Sequence, residues 1–330
     1  MSAAAQQATM PKVRPKSTAR ASVLRRFGSL LGLILLCGVF GTLSQPFRTW
    51  DNAVNVMRQS SVNALLALGQ LAVILTAGID LSVGSILGLS CVLAALVLRA
   101  GLPTGVAILA ALSAGAALGI TNGVLLTKLR LPHPFIPTLG MMNVARGLAL
   151  VIAGGLPLSD LPGGFRVWGA GTAGGLPVPV ILVGFSYLLC HAFLTRTTVG
   201  RDLYAVGGNA RAALLSGVPV DGRLIFAYGF SGLMAGVAAV VLAGRMNSGF
   251  PLAGSGAELD SIAAVIVGGG SFFGGVGTVS GTLVGALIMA ALRNGLNLLD
   301  VSAYWQTVTI GVAIVVTVWI DILRQKAASR

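Results

Sequence analysis

Four ionisable residues lie within or beside long apolar stretches of the chain, where a charge is costly: Asp80, Arg146, Glu258 and Asp260. A carboxylate in such a place can bind a proton or a cation, and a guanidinium can donate hydrogen bonds to a polar solute. The three acidic residues also precede apolar segments of helical length, so they could accept hydrogen bonds from the free N–H groups at a helix start. We favour this capping role for the three carboxylates and keep ion binding as the alternative.

Uncharged hydrogen-bonding side chains accompany these groups near the ends of the apolar runs, whereas aromatic side chains are few inside them. Such an inventory is compatible with a neutral polar solute. Arg146 has a second interpretation, because its long side chain could extend to the membrane surface. The residues that we predict for a translocation pathway are Asp80, Ser82, Asn122, Asn143, Arg146, Glu258 and Asp260.

The sequence contains no recognisable catalytic motif and no recognisable means of hydrolysing ATP. A Walker A loop needs a lysine directly after a glycine, and no lysine of this chain follows one. Serine-hydrolase elbows and HExxH helices are absent too. The cysteines and histidines are isolated from one another, which argues against disulfides and metal sites. We therefore predict no enzymatic activity, no metal and no cofactor.

The composition predicts an all-α, polytopic membrane protein. Hydrophobic residues make up 55% of the chain, charged residues 9%, and the mean hydropathy is +0.90, whereas soluble domains carry about 25% charged residues. A spanning helix needs about 20 mostly apolar residues, so the chain has room for about ten transmembrane helices in the lipid bilayer. The predicted spans are 27–43, 62–77, 83–98, 104–126, 137–153, 179–194, 224–243, 258–272, 278–296 and 304–322.

The basic residues lie near the ends of the apolar runs and predict the orientation of the chain. The net charge is +13, which in a soluble protein would suggest nucleic acid but here follows the positive-inside rule. We predict no nucleic-acid partner. With the N-terminus inside, the predicted cytoplasmic segments hold more than twice as many Lys and Arg as the opposite face, which places both termini in the cytoplasm. The expected parts are a basic disordered leader, 1–26, a transmembrane domain, 27–323, and a cytoplasmic tail, 324–330.

Two predicted spans carry glycines at four-residue spacing, which leaves a flat strip on one face of each helix. Neighbouring backbones can approach such a strip closely, so both spans should be central. One of them runs inward and the other outward in this topology, which predicts an inverted repeat of five plus five spans, as in many transporters. Plain helix packing explains either strip taken alone. The glycines are Gly115, Gly119 and Gly123 in the fourth span, and Gly277, Gly281 and Gly285 in the ninth.

A polar segment, TTVGRDLYAVGGNARAALLSGVPV at 197–220, separates two apolar runs. Its arginines and those beside it place it on the cytoplasmic side, where a long helical loop can contact a soluble partner. Gly207 and Gly208 could form a turn that is closed to other residues, and Leu214 and Leu215 beyond them offer an apolar face. We therefore predict a cytoplasmic coupling loop at 195–223.

Five sequence blocks occur in a specific order: GIDLSVGSILGLS (78–90), GRDLYAVGGN (200–209), LSGVPV (215–220), GSGAELDSIAAVIVGGGSFFGGVGTVSGTLVGALI (254–288) and NGLNLL (294–299). In these blocks the chain resembles the ribose-type family of sugar ABC-transporter permeases, and the likeness extends over nearly the whole chain. The resemblance implies a bacterial inner-membrane subunit of which two copies, a homodimer, form the pathway. It also implies an ATP-binding subunit with two nucleotide-binding domains and a periplasmic sugar-binding protein as partners.

The resemblance also assigns the coupling to the ATPase. In this family the cytoplasmic coupling segment usually has one or two acidic residues after GGN, whereas this chain has Ala210 and Arg211. The difference implies an ATPase subunit whose charge is matched to this permease. The residues implied to transmit ATP-driven closure are Gly200, Arg201, Tyr204, Gly207, Gly208 and Asn209.

The favoured hypothesis is an importer subunit that moves a ribose-like pentose, or a related sugar or polyol, inward by alternating access. Its energy would come from ATP hydrolysed by a partner. The alternative is a proton- or sodium-coupled secondary transporter, in which Asp80, Glu258 or Asp260 would bind the coupling ion. A channel would need a continuous polar stripe along a span, and none is apparent.

Overall fold

The structure is a computed structural model that describes residues 18–328. The described part is predominantly helical, with two short antiparallel strand pairs. The strands are β1 (Leu158–Ser159), which pairs with β4 (Ser248–Gly249), and β2 (Thr172–Ala173), which pairs with β3 (Leu176–Pro177). The helices are α1 (Thr18–Leu43), α2 (Trp50–Leu75), α3 (Val83–Arg99), α4 (Thr104–Lys128), α5 (Phe135–Ala153), α6 (Gly163–Ala170), α7 (Val178–Arg196), α8 (Thr198–Leu215), α9 (Val220–Met246), α10 (Ala257–Val267), α11 (Val279–Leu298) and α12 (Ala303–Ala328).

Every predicted span falls on one of these helices. Within the described residues, α4, α5, α7, α9 and α11 are long and apolar enough to cross a membrane. The prediction of a helical, multi-pass membrane protein is therefore confirmed. The total of ten spans and the position of the termini stay predictions.

Three predicted boundaries are wrong: the start of α1, the start of α2 and the end of α10. Residues 1–17 of the predicted leader lie outside the described range, but 18–26 belong to α1 and are helical rather than disordered. Helix α2 begins at Trp50, well before the predicted start at 62, because the Thr49 hydroxyl accepts a hydrogen bond from Asn52 N–H and caps a polar first turn. Apolarity alone could not reveal that turn.

Helix α10 is shorter than the predicted span 258–272. Its 11 residues rise only about 16 Å, roughly half of a bilayer core of about 30 Å. The helix ends at a run of three glycines, in which Gly269 has a φ of +95° that other residues rarely adopt. Helix α10 therefore cannot cross a membrane alone.

The glycine strips are confirmed as sites of close helix packing. A Cβ at Gly115 or Gly119 of α4 would overlap backbone atoms of α9, at Gly232 and Tyr228. On α11, Gly281 and Gly285 contact the backbone of α10 and its C-terminus in the same way. Gly277 is different, because it lies in the loop before α11 and contacts Leu71 and Leu75 side chains.

The helices α2, α3 and α4 have the same pattern of neighbours as α9, α10 and α11. Helix α4 packs on α3 and α9, whereas α11 packs on α10 and α2. If α2 is exchanged with α9, α3 with α10 and α4 with α11, each helix of the set therefore keeps the same neighbours. This is the pairing that the inverted repeat predicts, and the repeat itself stays a prediction.

The two ends of the helix bundle differ. The α8 end consists of α8, the C-terminus of α2, the N-terminus of α9 and the loop 268–277. The α6 end consists of α6, the β1–β4 pair and the C-terminus of α9. The residues of the candidate site lie between these two ends.

Candidate functional site

Asp80 lies fully buried in the turn between α2 and α3. Its Oδ1 accepts hydrogen bonds from the backbone N–H of Ser82 (2.9 Å) and from Ser82 Oγ (2.6 Å). Its Oδ2 accepts from Ser231 Oγ of α9 at 2.9 Å. Asn122 of α4 donates its amide to Ser82 Oγ at 2.8 Å. One carboxylate thus joins the start of α3 to α4 and α9.

The backbone of Asp80 is also paired. With its amide oriented to satisfy both bonds, Gln70 of α2 accepts from Asp80 N–H (3.1 Å) and donates to Asp80 C=O (3.2 Å). The N-cap of α3 is Ser82, not Asp80, and Asp80 binds the N–H of that cap residue. The predicted capping role is therefore wrong for Asp80, because its carboxylate closes the turn before α3 and binds no N–H of the first turn of that helix within the described residues.

A second polar cluster joins α5 to the loop that precedes α10. Arg146 Nη1 donates to the carbonyl oxygens of Pro251 (2.9 Å) and Ala253 (2.8 Å). Glu258, in the first turn of α10, accepts from Gly256 N–H through Oε1 at 3.2 Å, while its Oε2 is buried and has no hydrogen-bond partner among the described residues. The charges of Arg146 and Glu258 attract one another without an ion pair within 4.0 Å.

Two glycines of α3 make room for this cluster. A Cβ at Gly84 would overlap the Gly254 carbonyl oxygen and Glu258 Oε2, and a Cβ at Gly88 would lie 2.9 Å from Arg146 Nη1. Gly84 and Gly254 bring the N-terminal ends of α3 and α10 together in the middle of the bundle. Both helix dipoles place partial positive charge there, close to two carboxylates. We call this region, with Asp80, Ser82, Asn122, Arg146 and Glu258, the central site.

The remaining predicted pathway residues lie elsewhere. Asn143 is exposed on α5 and donates to the carbonyl oxygen of Leu139 at 3.0 Å. Asp260 forms an ion pair with Arg293 of α11 at 2.6 Å. Asp260 is in the first turn of α10, but its carboxylate serves this pair rather than the helix N-terminus, so the predicted capping role is wrong for Asp260.

Several residues of the central site were not predicted from the sequence. Ser231 and Gln70 bind Asp80, and the loop 250–256 binds Arg146. Ser231 and Gln70 are polar residues inside apolar runs, which is a signal that could have identified them. Loop 250–256 takes part through backbone carbonyls, which carry no sequence signal.

The predicted coupling loop contains helix α8, which is bent at Asn209, where φ is −163° and ψ is 99°. The Asn209 side chain caps the second part of the helix by accepting from Ala212 N–H at 2.9 Å. The predicted turn at Gly207 and Gly208 is wrong, since neither glycine has a positive φ. Gly207 instead permits a close approach, because a Cβ there would overlap Leu75 C=O and lie 2.5 Å from Gly275 N.

The first part of α8 is fixed to the bundle. Tyr204 donates its hydroxyl to Gly277 C=O at 3.0 Å, and burial raises the pKa of this phenol, so it stays protonated. Arg223 of α9 pairs with Asp202 at 2.8 Å. Thr197 Oγ1 caps α8 by accepting from Gly200 N–H at 3.0 Å.

The second part of α8 projects from the bundle. Leu214 and Leu215 are 60% and 83% exposed, and Arg211 is exposed beside them. Arg201, on the first part, is exposed as well. An apolar tip with basic neighbours is thus available to a partner at the α8 end.

A cavity of about 380 Å³ opens at the same end. Its wall includes Gly78 and Tyr228, and the Tyr228 hydroxyl lies 3.5 Å from the carbonyl oxygen of Ile79, next to Asp80. Arg130 and Asp221 also line the cavity. The cavity therefore extends from the α8 end towards the central site.

Comparison with known proteins gives a consistent result. The family profile described as branched-chain amino acid transport system / permease component matches residues 52–318. The ribose import permease protein RbsC of Escherichia coli (strain K12) is 43% identical over 304 residues, covering 90% of this chain and 94% of that protein. RbsC of Bacillus subtilis (strain 168) is 42% identical over 308 residues, covering 93% and 95%. The D-allose transport system permease protein AlsC of Escherichia coli (strain K12) is 39% identical over 303 residues, covering 91% and 93%. No solved structure matches the chain.

Proposed function

The chain belongs to the family of permease components of branched-chain amino acid transport systems, and from this premise we propose that it is the membrane subunit of an ATP-driven monosaccharide importer. The predicted resemblance to ribose-type sugar permeases is confirmed by relatives that are named for ribose and D-allose transport. A ribose-like pentose or related sugar is the proposed solute. The proposed partners are an ATP-binding subunit, a periplasmic sugar-binding protein and a second permease copy.

The observation that carries this proposal is the two-part geometry of α8. Its first part is fixed to α2 and to the loop 268–277, while its second part projects with an exposed apolar tip. An ATPase subunit that binds the tip can move α8 as a lever, and α8 then moves the loop 268–277. This loop is the direct continuation of α10, whose other end carries Glu258 at the central site.

The proposed mechanism is alternating access around the central site. Arg146 and Glu258 offer a donor and an acceptor to sugar hydroxyls, and Asp80, Ser82 and Asn122 hold the start of α3 in place. Movement of α10 would shift Glu258 relative to α3 and Arg146. The cavity at the α8 end would then serve as the exit towards the cytoplasm. The inverted repeat and the cytoplasmic location of both termini belong to the same proposal.

One observation favours the secondary transporter as a second candidate. Asp80 is a buried carboxylate that has no ion pair among residues 18–328, as expected of a group that binds a coupling ion. Three hydrogen bonds and the dipole of α3 offer a purely structural explanation.

Purification from the native membrane tests the importer proposal. We expect the tagged chain to co-purify with a subunit that has two nucleotide-binding domains, identified by mass spectrometry. A variant with Leu214 and Leu215 both replaced by Ser should be inserted normally but lose that subunit. A wild-type chain that is repeatedly isolated alone and is active without ATP would favour the secondary transporter.

A further inference from the structure

Two arginines at the α6 end of the bundle core lack an acidic partner in the described part of the chain. Arg58 lies on α2 and Arg245 in the last turn of α9, and both are partly buried. Gly69 of α2 packs against Ser231 of α9, and the two helices run in opposite directions. Arg58 and Arg245 therefore lie at the same level of the bundle, where their charges repel one another. Within residues 18–328 neither forms an ion pair with a carboxylate. Two like charges held together in this way favour a ligand of the opposite charge.

Hydrogen bonding leads to the same conclusion. Nε of Arg58 and Nη1 of Arg245 are buried and have no hydrogen-bond partner in the part of the chain that the structure describes, and the same is true of the Ser248 hydroxyl, close to Arg245 in sequence. Buried donors on a charged group are costly to leave unpaired. A single carboxylate or phosphate group between the two guanidiniums would pair these donors and neutralise the repulsion, since such groups bind arginine through two parallel hydrogen bonds.

The position of the pair indicates where such a ligand comes from. Beyond Arg58, α2 is buried almost continuously from Ser60 to Leu75, and most of α9 between Tyr228 and Gly244 is buried too. The two arginines therefore cap the centre of the bundle and not its outer, lipid-facing surface. A ligand reaches them from the water at the α6 end.

We propose that Arg58 and Arg245 form a binding site for one oxyanion group, carboxylate or phosphate, of a small soluble ligand. The ligand is either a free inorganic anion or a sugar derivative that carries an acidic group. Both supply the same chemistry to the two guanidiniums. The site goes beyond the proposed import of a neutral sugar and does not depend on an ATPase partner.

The test uses the full chain in nanodiscs of phosphatidylcholine, titrated with inorganic phosphate and with gluconate by calorimetry. We expect saturable binding of at least one of the two anions, with one site per chain, and a Kd at least tenfold weaker in Arg58→Gln and in Arg245→Gln. Arg166→Gln, which changes an exposed arginine at the same end, should leave the Kd unchanged. Tighter binding of gluconate would identify an acidic sugar, and tighter binding of phosphate a free anion.

The two Gln variants remain informative about folding, because each removes one of two repelling charges. Their melting temperatures without anion should equal or exceed that of the wild type, and phosphate should no longer raise them. The proposal is overturned if neither anion binds the wild type, or if both bind the two variants as tightly. It is also overturned if the two arginines affect binding only in nanodiscs that contain phosphatidylglycerol, which would assign them to a lipid headgroup.

Discussion

Gly207 of α8 lies against the carbonyl oxygen of Leu75, the last residue of α2, and this contact leaves no space for a side chain. Gly208, the next residue, faces open space. The two adjacent glycines therefore differ in their contact with the bundle, and this contact is what the proposed lever role of α8 requires. In the proposed mechanism, the contacts of Gly207 with the end of α2 and with the loop 268–277 would carry the movement of a partner into the bundle.

Replacing Gly207 by Ala should uncouple transport, whereas replacing Gly208 by Ala should not. A Cβ added at Gly207 would meet backbone atoms, which cannot yield as a flexible side chain can, so α8 must move away. We expect sugar uptake to fall at least about tenfold in G207A, equivalent to about 1.4 kcal/mol. Uptake is compared in cells with equal amounts of each variant in the membrane. Equal uptake by G207A and G208A would show that this contact is unnecessary.

Replacing Tyr204 by Phe should loosen the first part of α8. The change removes the hydrogen bond to Gly277 C=O, which contributes about 1 kcal/mol. Amide hydrogen exchange in α8 should then become several times faster, while Tyr304→Phe, at an 86% exposed position, should change nothing. If amide exchange in α8 is unchanged in Y204F, the Tyr204 hydrogen bond does not hold α8 against the bundle.

The same bond has a defined dependence on pH. Burial raises the pKa of the Tyr204 phenol, so its contribution is fully present below the ordinary tyrosine value of about 10 and is lost only as pH rises through the raised value. Protection of α8 against exchange should be steady through neutral pH. Suppose that the wild type loses protection of α8 below pH 9 and that Y204F does not. Tyr204 would then ionise below its ordinary range, which would contradict a raised pKa for this phenol.

Asp80 should tolerate Asn but not Leu. An Asn side chain can still accept from Ser82 N–H and Oγ, and the Ser231 hydroxyl can rotate to accept from its amide. Leu would leave buried donors unpaired, at about 1–3 kcal/mol each. We expect D80N to retain uptake and thermal stability and D80L to lose both. If D80N is stable but inactive and has lost the pH dependence of uptake, Asp80 is a titrating group and the secondary transporter is favoured.

Arg146 and Gly88 should behave as one functional unit. Arg146→Gln removes the two bonds to the loop 250–256, and Gly88→Ala would place a Cβ 2.9 Å from the guanidinium and from Ala253 C=O. Both variants should lower uptake with little loss of the co-purified ATPase subunit. Gly140→Ala on α5, where a Cβ meets nothing within 4 Å, is the control. Wild-type uptake by R146Q would exclude Arg146 from the pathway.

Stability should depend on the glycine strip of α4. A Cβ at Gly115 would overlap the Gly232 carbonyl oxygen, whereas Gly105 near the start of the same helix faces open space. G115A should therefore lower the melting temperature in detergent. G105A should leave it unchanged or raise it, since Ala favours helix by up to about 1 kcal/mol over Gly. The opposite order would refute close α4–α9 packing.

The fold could be predicted from the sequence to the extent that apolar length and glycine spacing determine it. Each predicted span corresponds to a helix, and Gly115 and Gly119 pack as their spacing predicts. The length of α10 could not be predicted, because Gly268–Gly270 end the helix while apolar residues continue beyond them. The early start of α2 depends on one hydroxyl of Thr49, outside any apolar pattern.

The candidate site could be predicted only in part. Asp80, Ser82, Asn122, Arg146 and Glu258 stand out as polar groups in apolar surroundings. Sequence cannot show that Asp260 is paired with Arg293, because that contact depends on how α10 and α11 pack. Nor can it reveal backbone groups such as the Pro251 carbonyl that Arg146 binds.

ATP-driven uptake in reconstituted liposomes is the most direct test of the importer proposal. The chain is inserted together with its co-purified ATPase subunit and sugar-binding protein, and labelled ribose and D-allose are supplied on the side of the binding protein. We expect uptake of at least one of these sugars only when ATP is present on the side of the ATPase, and no uptake with ADP or with a proton or sodium gradient alone. Uptake by the chain alone, driven by an ion gradient without ATP, would contradict the importer proposal.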